Sequence, residues 1–577
     1  MRVAPLYTAA SAAVIILPTS ATPLIARDNS TLQYDFTNLT ASATLDWKPC
    51  YENFTCAALI VPLDYANASA GNTTLDIIKK PGDTPDVQEV LVNPGGPGGQ
   101  ATVMVLTDYA AIQDKIGTKY ALVGIDPRGT GSSGPLSDCF SGYSFVARNA
   151  FLSSTLAPID NYHGDYVLKQ SHQSMLEYGK WCSQIYSVNG TARYAGTVAT
   201  AQDMLHYIQL RAKDLGKNPD DAKLWYYGIS YGTILGPTFA SLYPDKVERM
   251  ILDGVLELED QFNGGWESSL ADSDEATRFW FKRCFEAGPQ LCASSTNATS
   301  WQEIEQRFWA LFNQLKDDPI GLGDPTSQTA IDLAESGVIV TPHIFTWQDL
   351  ANMFFGVSYI LAPVYYSYLD LILVELASGN YSQLQGLATA AQISSYAPAY
   401  DDRMARTLIN CLDANGRSNY TDFEDFKGFV DFMSNGSVYN GRKIATFSGS
   451  ICSQLNVFPP ESQAFDGIPR IGDKKVPILF ISGIADPVTP LPSAENMQTY
   501  FPGSGLLKWN NSGHCAHFQK TACVSQHEKQ FMLDGTLPPA NTTCEVDQPN
   551  PFLAYAEELA NANSTTSGST TGTTSRV

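Results

Sequence analysis

The chain has 577 residues and a formal net charge of −23, with 44% apolar and only 16% charged residues. That apolar fraction is enough for a large buried core and excludes wholesale disorder. The acidic balance repels phosphate, which argues against a nucleic-acid surface and against adhesion to anionic lipid.

At the N-terminus, Arg2 supplies a short positive region and Leu6 to Leu17 (LYTAASAAVIIL) an apolar stretch too short to span a bilayer. Thr19-Ser20-Ala21 places small residues where a signal peptidase needs them, so residues 1–21 read as a signal peptide. No second run of 18 or more uncharged apolar residues follows, so the expected product is a secreted, extracellular protein without membrane insertion. Cysteine and asparagine usage agree with export. Of the 11 cysteines none falls in a CxxC pattern. Cys50/Cys56 and Cys284/Cys292 are near enough in sequence to close small loops, and Cys411/Cys452 a larger one. The odd count leaves one cysteine free or paired between molecules. Thirteen N-x-S/T sequons, among them Asn38, Asn53, Asn189, Asn435 and Asn541, suggest a heavily glycosylated chain.

After a Thr/Asn-rich lead-in to about residue 45, strand-like runs appear at Ala57 to Leu63, Leu75 to Lys79, Glu89 to Asn93 and Ala121 to Asp126. The continuous runs Val90-Leu91-Val92 and Leu122 to Ile125 read as parallel strands buried on both faces. Thr200 to Leu215 has helical spacing, Leu224 to Ile229 is a strand, Tyr231 to Tyr243 a helix, and Arg249 to Val255 a strand. This alternation predicts an α/β architecture: a mostly parallel sheet with helices on both faces. It is interrupted from about 260 to 470, where the chain is aromatic-rich and helical in pattern. It then resumes at Val476 to Ser482, Pro492 to Tyr500 and Leu506 to Trp509. The expected organisation is therefore a signal at 1–21, a core in two parts at 22–259 and 471–545, a large helical insertion forming a cap at 260–470, and a Ser/Thr-rich tail at 546–577, disordered from Asn561. The tail carries no hydrophobic GPI-type signal.

The chemistry concentrates at the ends of the predicted strands. Gly228-Ile229-Ser230-Tyr231-Gly232 lies where a strand hands over to a helix. A serine on such a turn stands clear of the sheet beside a helix N-terminus, and the next residue's N–H can donate to an oxyanion. Ser230 is the candidate nucleophile. A serine nucleophile needs a base, and the base an orienting acid. His514, in Asn511-Ser512-Gly513-His514 after the strand Leu506 to Trp509, is the candidate base, with His517 the alternative. Asp486, on the loop after the strand ending near Ser482, is the candidate acid. Glu495 is the alternative, although it falls inside a predicted helix. Asn93 to Gly99 (NPGGPGG) leaves backbone N–H groups bare and lacks the spacing of a phosphate loop. Gly96 and Tyr231 are the candidate oxyanion donors.

The pieces NPGGPGG, Asp126 to Ser133 (DPRGTGSS), Tyr227 to Gly236 (YGISYGTILG), Tyr243 to Val255 (YPDKVERMILDGV), Ser482 to Pro490 (SGIADPVTP) and Gly513-His514 occur in order over about residues 45–545. In this combination the chain resembles the α/β-hydrolases of the prolyl-aminopeptidase and secreted tripeptidyl-aminopeptidase group. The resemblance implies the α/β-hydrolase fold and cleavage of short peptides from a free N-terminus, with the cap limiting access. Ser230, Asp486 and His514 match the triad, and Gly96 and Tyr231 the oxyanion donors. No metal or organic cofactor is required. The sequence departs from that pattern at Cys515-Ala516-His517, where relatives often carry small residues. The same triad would serve an esterase acting on another small-molecule substrate. A non-catalytic binding protein on this scaffold would usually have lost one of these positions, and all survive. A histidine base points to an optimum between weakly acidic and neutral pH.

Overall fold

The computed structural model describes residues 32–567 apart from 85–86, 327, 336–341, 361, 382–383, 387–399, 448 and 466–467. The expected signal peptide and the last ten residues lie outside the described residues. Twelve strands are present among the described residues: β1 Lys48–Cys50, β2 Phe54–Pro62, β3 Asn72–Lys80, β4 Glu89–Asn93, β5 Ala121–Ile125, β6 Leu224–Ile229, β7 Val247–Asp253, β8 Ile320–Leu322, β9 His343–Phe345, β10 Ile478–Ala485, β11 Gly505–Ser512 and β12 Thr543–Cys544. Ten of them form one sheet in the order β1-β2-β3-β5-β4-β6-β7-β10-β11-β12. The pairings from β1 to β5 are antiparallel, and those from β5 through β4 to β12 are parallel.

The parallel strands sit between two apolar layers, which is why their apolar runs are continuous. Successive side chains alternate between the layers with the two-residue period of a strand. Val90, Val92, Tyr227, Ile229, Ile251, Leu479 and Ile481 face one layer with Met104, Val105, Phe531 and Met532. Leu91, Tyr226, Met250, Leu252, Ile478 and Phe480 face the other with Met204, Ile208, Ile234, Leu235 and Met497. These partners belong to helices Ala101–Ile116 and Ala522–Asp534 on the first face and Thr197–Asp214, Gly232–Leu242 and Leu491–Tyr500 on the second.

The segment between β7 and β10 is mainly helical, with β8 and β9 forming a small antiparallel ladder. Its own core is aromatic and includes Trp280, Phe281, Phe308, Phe354 and Tyr366. Two packing features bear on the expected boundaries. Helices Phe145–Thr155 and Asp165–Asn189, placed by sequence in the first part of the core, pack against the inserted helices. Asn456 N–H donates to Ser183 Oγ (3.1 Å), and His172 Nε2 contacts Tyr420 O (2.7 Å). The tail is also ordered well past residue 546. Helix Pro551–Ser567 docks on the insertion through the fully buried Phe552, whose ring lies 5.9 Å from Trp280 and 5.6 Å from Tyr366. Disulfides close Cys50–Cys56, Cys139–Cys182, Cys284–Cys292, Cys411–Cys452 and Cys523–Cys544, leaving Cys515 unpaired and buried. No helix among the described residues is long and apolar enough to cross a membrane.

Candidate active site

The five first-choice residues each stand just past the C-terminal end of a parallel strand: Gly96 after β4, Ser230 and Tyr231 after β6, Asp486 after β10, and His514 after β11. This edge of an open α/β sheet is where loops from neighbouring strands can converge.

Ser230 holds φ = +54°, a left-handed conformation that few residues other than glycine adopt. The turn is pinned from both sides. Ser230 N–H donates to Asp253 O (3.0 Å), while Thr233 donates to Ser230 O through its N–H (2.7 Å) and its hydroxyl (2.6 Å). The Asn93–Gly99 loop lies against this turn so closely that a Cβ on Gly95 would sit 2.7 Å from Ser230 Cβ and 2.8 Å from Tyr231 N, so only glycine permits the approach. Among the described residues the N–H groups of Gly96 and Tyr231 have no acceptor. The Tyr231 side chain is anchored away from the turn. Its hydroxyl bonds Thr197 Oγ1, which donates to Asp413 Oδ2 (2.5 Å), and Gln261 donates to the same oxygen (2.8 Å). Asp413 belongs to the inserted helix Asp402–Ala414, so the insertion buttresses the turn.

His514 and Asp486 form a buried pair. Nδ1 of His514 lies 3.1 and 3.0 Å from the two carboxylate oxygens and 3.0 Å from Thr489 Oγ1. The N–H groups of Val488 (3.0 Å), Thr489 (2.8 Å) and Cys515 (3.3 Å) donate to the Asp486 carboxylate and fix its orientation. Nε2 of His514 is buried and makes no hydrogen bond among the described residues, which leaves it available to take a proton.

The two alternatives lie elsewhere. His517 turns away, with Nδ1 at 3.4 Å from Tyr227 Oη and Nε2 at 4.0 Å from Asp108. Burial, assisted by Lys115, holds its pKa down at about 3. Glu495 is half exposed and paired with Lys508 at 2.7 Å.

Two regions match family models: residues 89–332 match the alpha/beta hydrolase fold, and residues 439–544 match TAP-like protein. Together they contain all five candidate residues. Serine protease Hip1 of Mycobacterium tuberculosis is 26% identical over 524 residues, covering 87% of this chain and 91% of that protein. Tripeptidyl aminopeptidase of Streptomyces lividans is 24% identical over 526 residues, covering 87% of each. Carboxylesterase B of Mycobacterium tuberculosis is 26% identical over 509 residues, covering 85% of this chain and 86% of that protein. The chain is an α/β-hydrolase, similar along most of its length to the tripeptidyl-aminopeptidase group.

Three further residues of this α/β-hydrolase shape the site, of which the sequence marked only Cys515, as a departure from the family pattern. Asp253, at the end of β7, accepts Ser230 N–H on its carbonyl. Its carboxylate accepts the N–H groups of Ala516 (2.9 Å) and His517 (2.6 Å). It thus holds the serine turn and the histidine loop in one frame, and burial lifts its carboxyl to about pKa 6. Cys515 lies beneath His514 at φ = +64°, with its thiol pKa pushed far up by burial, so it is a packing group and not a reactive thiol. Tyr359 ends the inserted helix Trp347–Tyr359. Its ring centroid is 4.4 Å from the His514 imidazole, its carbonyl accepts His514 N–H (3.0 Å), and its phenol stands near the Ser230 side chain. One tyrosine of the inserted layer therefore packs on His514 and stands near Ser230. The two groupings of possible metal ligands among the described residues, Cys523–His527–Cys544 and Cys284–Cys292–Asp370, each have two of their three members in a disulfide.

Proposed function

We propose that this hydrolase is an exported serine peptidase that releases tripeptides or other short N-terminal fragments through an acyl-enzyme. The observation that carries the reading is the pairing of a serine on a left-handed strand-to-helix turn with a buried His514–Asp486 dyad whose Nε2 is unoccupied. In this reading Ser230 Oγ attacks the scissile carbonyl carbon and His514 Nε2 accepts the hydroxyl proton. Asp486 keeps Nδ1 protonated and stabilises the imidazolium. The N–H groups of Gly96 and Tyr231 receive the oxyanion, each such donor lowering the barrier by roughly 3–4 kcal/mol. The tetrahedral intermediate collapses, the C–N bond breaks, and His514 returns the proton to the departing amine. Water then enters, loses a proton to His514 and cleaves the ester, which frees Ser230.

The relatives named as a serine protease and a tripeptidyl aminopeptidase support peptide bonds as the substrate. Five disulfides support an oxidising, extracellular compartment. Tyr359, and Tyr400 whose hydroxyl donates to Gly98 O (2.8 Å), bring the inserted layer down onto the site, which suits short peptides over folded proteins. The relative named as a carboxylesterase supports ester hydrolysis as the second reading. Comparing tripeptide p-nitroanilides with p-nitrophenyl esters separates the two. The proposal expects the anilide to be cleaved after its third residue, and turnover of esters alone would overturn it.

A further inference from the structure

A cavity of ≈ 200 Å³ opens within the helical layer beside the site, and its lining includes Ser153, Asn352, Thr407, Arg403, Arg406 and Lys443. Three cationic side chains meet there. Arg403 is neutralised by Asp401, with Nε–O distances of 2.8 and 3.1 Å and a third contact of 2.5 Å. Arg406 has a single 3.3 Å contact to the half-exposed Asp402. The Lys443 amine donates to Leu156 O (2.8 Å), and among the described residues no carboxylate lies within ion-pair distance of it. Burial and the two guanidinium groups together press its pKa down to about 7. A cation placed among cations without a counter-charge is costly, and an incoming anion relieves that cost.

One wall of the cavity packs on the Asn93–Gly99 loop. The helix Asp402–Ala414 carries Arg403 and Arg406 and rests on the loop that contains Gly96. A Cβ on Gly98 would meet Asp402 O at 2.9 Å and Arg406 N at 3.2 Å. The Arg406 guanidinium stands 5.7 Å from the Phe447 ring, which lies 6.2 Å from Phe355, itself 5.7 Å from Tyr359 over His514. The positive charge of Arg406 is felt at the Tyr359 phenol.

We propose that Lys443 and Arg406, backed by Arg403, form a carboxylate-binding subsite, so that the hydrolase prefers substrates bearing a carboxylate a short reach from the scissile bond. The proposal rests on Ser230 being the nucleophile. The carboxylate has two possible sources, an acidic side chain or the C-terminus of a short peptide. The guanidinium and ammonium groups take either through charge-assisted hydrogen bonds.

The test is kcat/KM, followed by mass spectrometry, on a matched peptide set. The set comprises a neutral amidated peptide containing glutamine, the same peptide with glutamate at each position in turn, and the same peptide with a free C-terminal carboxylate. At least one acidic arm is expected to exceed the neutral peptide by tenfold or more. That ratio should fall to near one in Lys443→Met and in Arg406→Gln, and persist in Lys443→Arg. Fluorophosphonate labelling of Ser230 reports that each variant is folded. Equal rates in all arms for the wild type, or a ratio that survives in both neutralised variants, would overturn the subsite. If no peptide is cleaved while esters are, the peptidase reading fails, and the subsite is then decided by the same comparison on acidic and neutral esters.

Discussion

Ser230, His514 and Asp486 were legible because each sits in a short motif at the end of a strand that the sequence already marks. Ser230→Ala and His514→Ala should each lower kcat by roughly 10⁶-fold, as expected when one member of a group that acts as a unit is removed. His517→Ala should keep most activity, since its ring faces Tyr227 and Asp108 and not the serine. A dead His517→Ala beside an active His514→Ala would reverse the assignment. Tyr359 escaped sequence reading. It closes a helix whose apolar run Phe354-Phe355-Gly356-Val357 reads as core, and its role comes only from a long-range contact. Asp253 escaped likewise, because holding two loops by carbonyl and carboxylate leaves no local pattern. Tyr359→Phe removes only the phenolic hydroxyl near Ser230 and should cost no more than roughly 10-fold in kcat/KM, the scale of a single hydrogen bond at about 0.5–1.5 kcal/mol. Tyr359→Ala also removes the ring over the imidazole and should cost more than about tenfold. Wild-type kinetics in Tyr359→Ala would reduce these contacts to packing.

At the level of elements, the strands around the site were read to within a few residues because burial on both faces demands uninterrupted apolar runs. The helices Phe145–Thr155 and Asp165–Asn189 and the terminal helix Pro551–Ser567 were not anticipated. Asp165–Asn189 is half polar along its length, and a Ser/Thr-rich ending masked the Pro551–Phe552–Leu553 anchor. The docking of that helix gives a direct prediction. Phe552→Ala should destabilise the inserted layer by about 3–5 kcal/mol, the range for a fully buried phenylalanine, with a matching drop in denaturation midpoint. A change under about 0.5 kcal/mol would mean that the helix contributes nothing to the fold.

For the molecule as a whole, buried carboxyls dominate the pH response. Burial lifts Asp76, Asp253 and Asp413 to about pKa 6 and Asp126 and Glu528 to about 7. A raised folded pKa means that the folded chain binds protons the unfolded chain has released. This stabilisation is therefore complete below the unfolded carboxyl range near pH 4 and is lost as pH rises through about 6–7. His517, held at about 3, acts oppositely: its contribution is present above about 6.5 and is lost on acidification. Lys443, lowered to about 7, contributes nothing that varies below that pH. The five carboxyls outweigh His517 and, above about pH 7, Lys443, and together with the fading repulsion of a −23 chain they predict a higher melting temperature near pH 5 than near pH 8. Activity should run the other way over the acid range, because a histidine base works only when unprotonated. Melting scans from pH 4.5 to 8 check this, and a melting temperature that rises steadily toward pH 8 would contradict it.

The measurement that bears most directly on the central claim is mass-spectrometric mapping of a fluorophosphonate adduct on the folded, disulfide-bonded protein. The account predicts one adduct, on the Ser230 hydroxyl, absent in Ser230→Ala and strongly slowed in His514→Ala and Asp486→Asn. Folded protein that takes no adduct, or takes it on another serine, would contradict it.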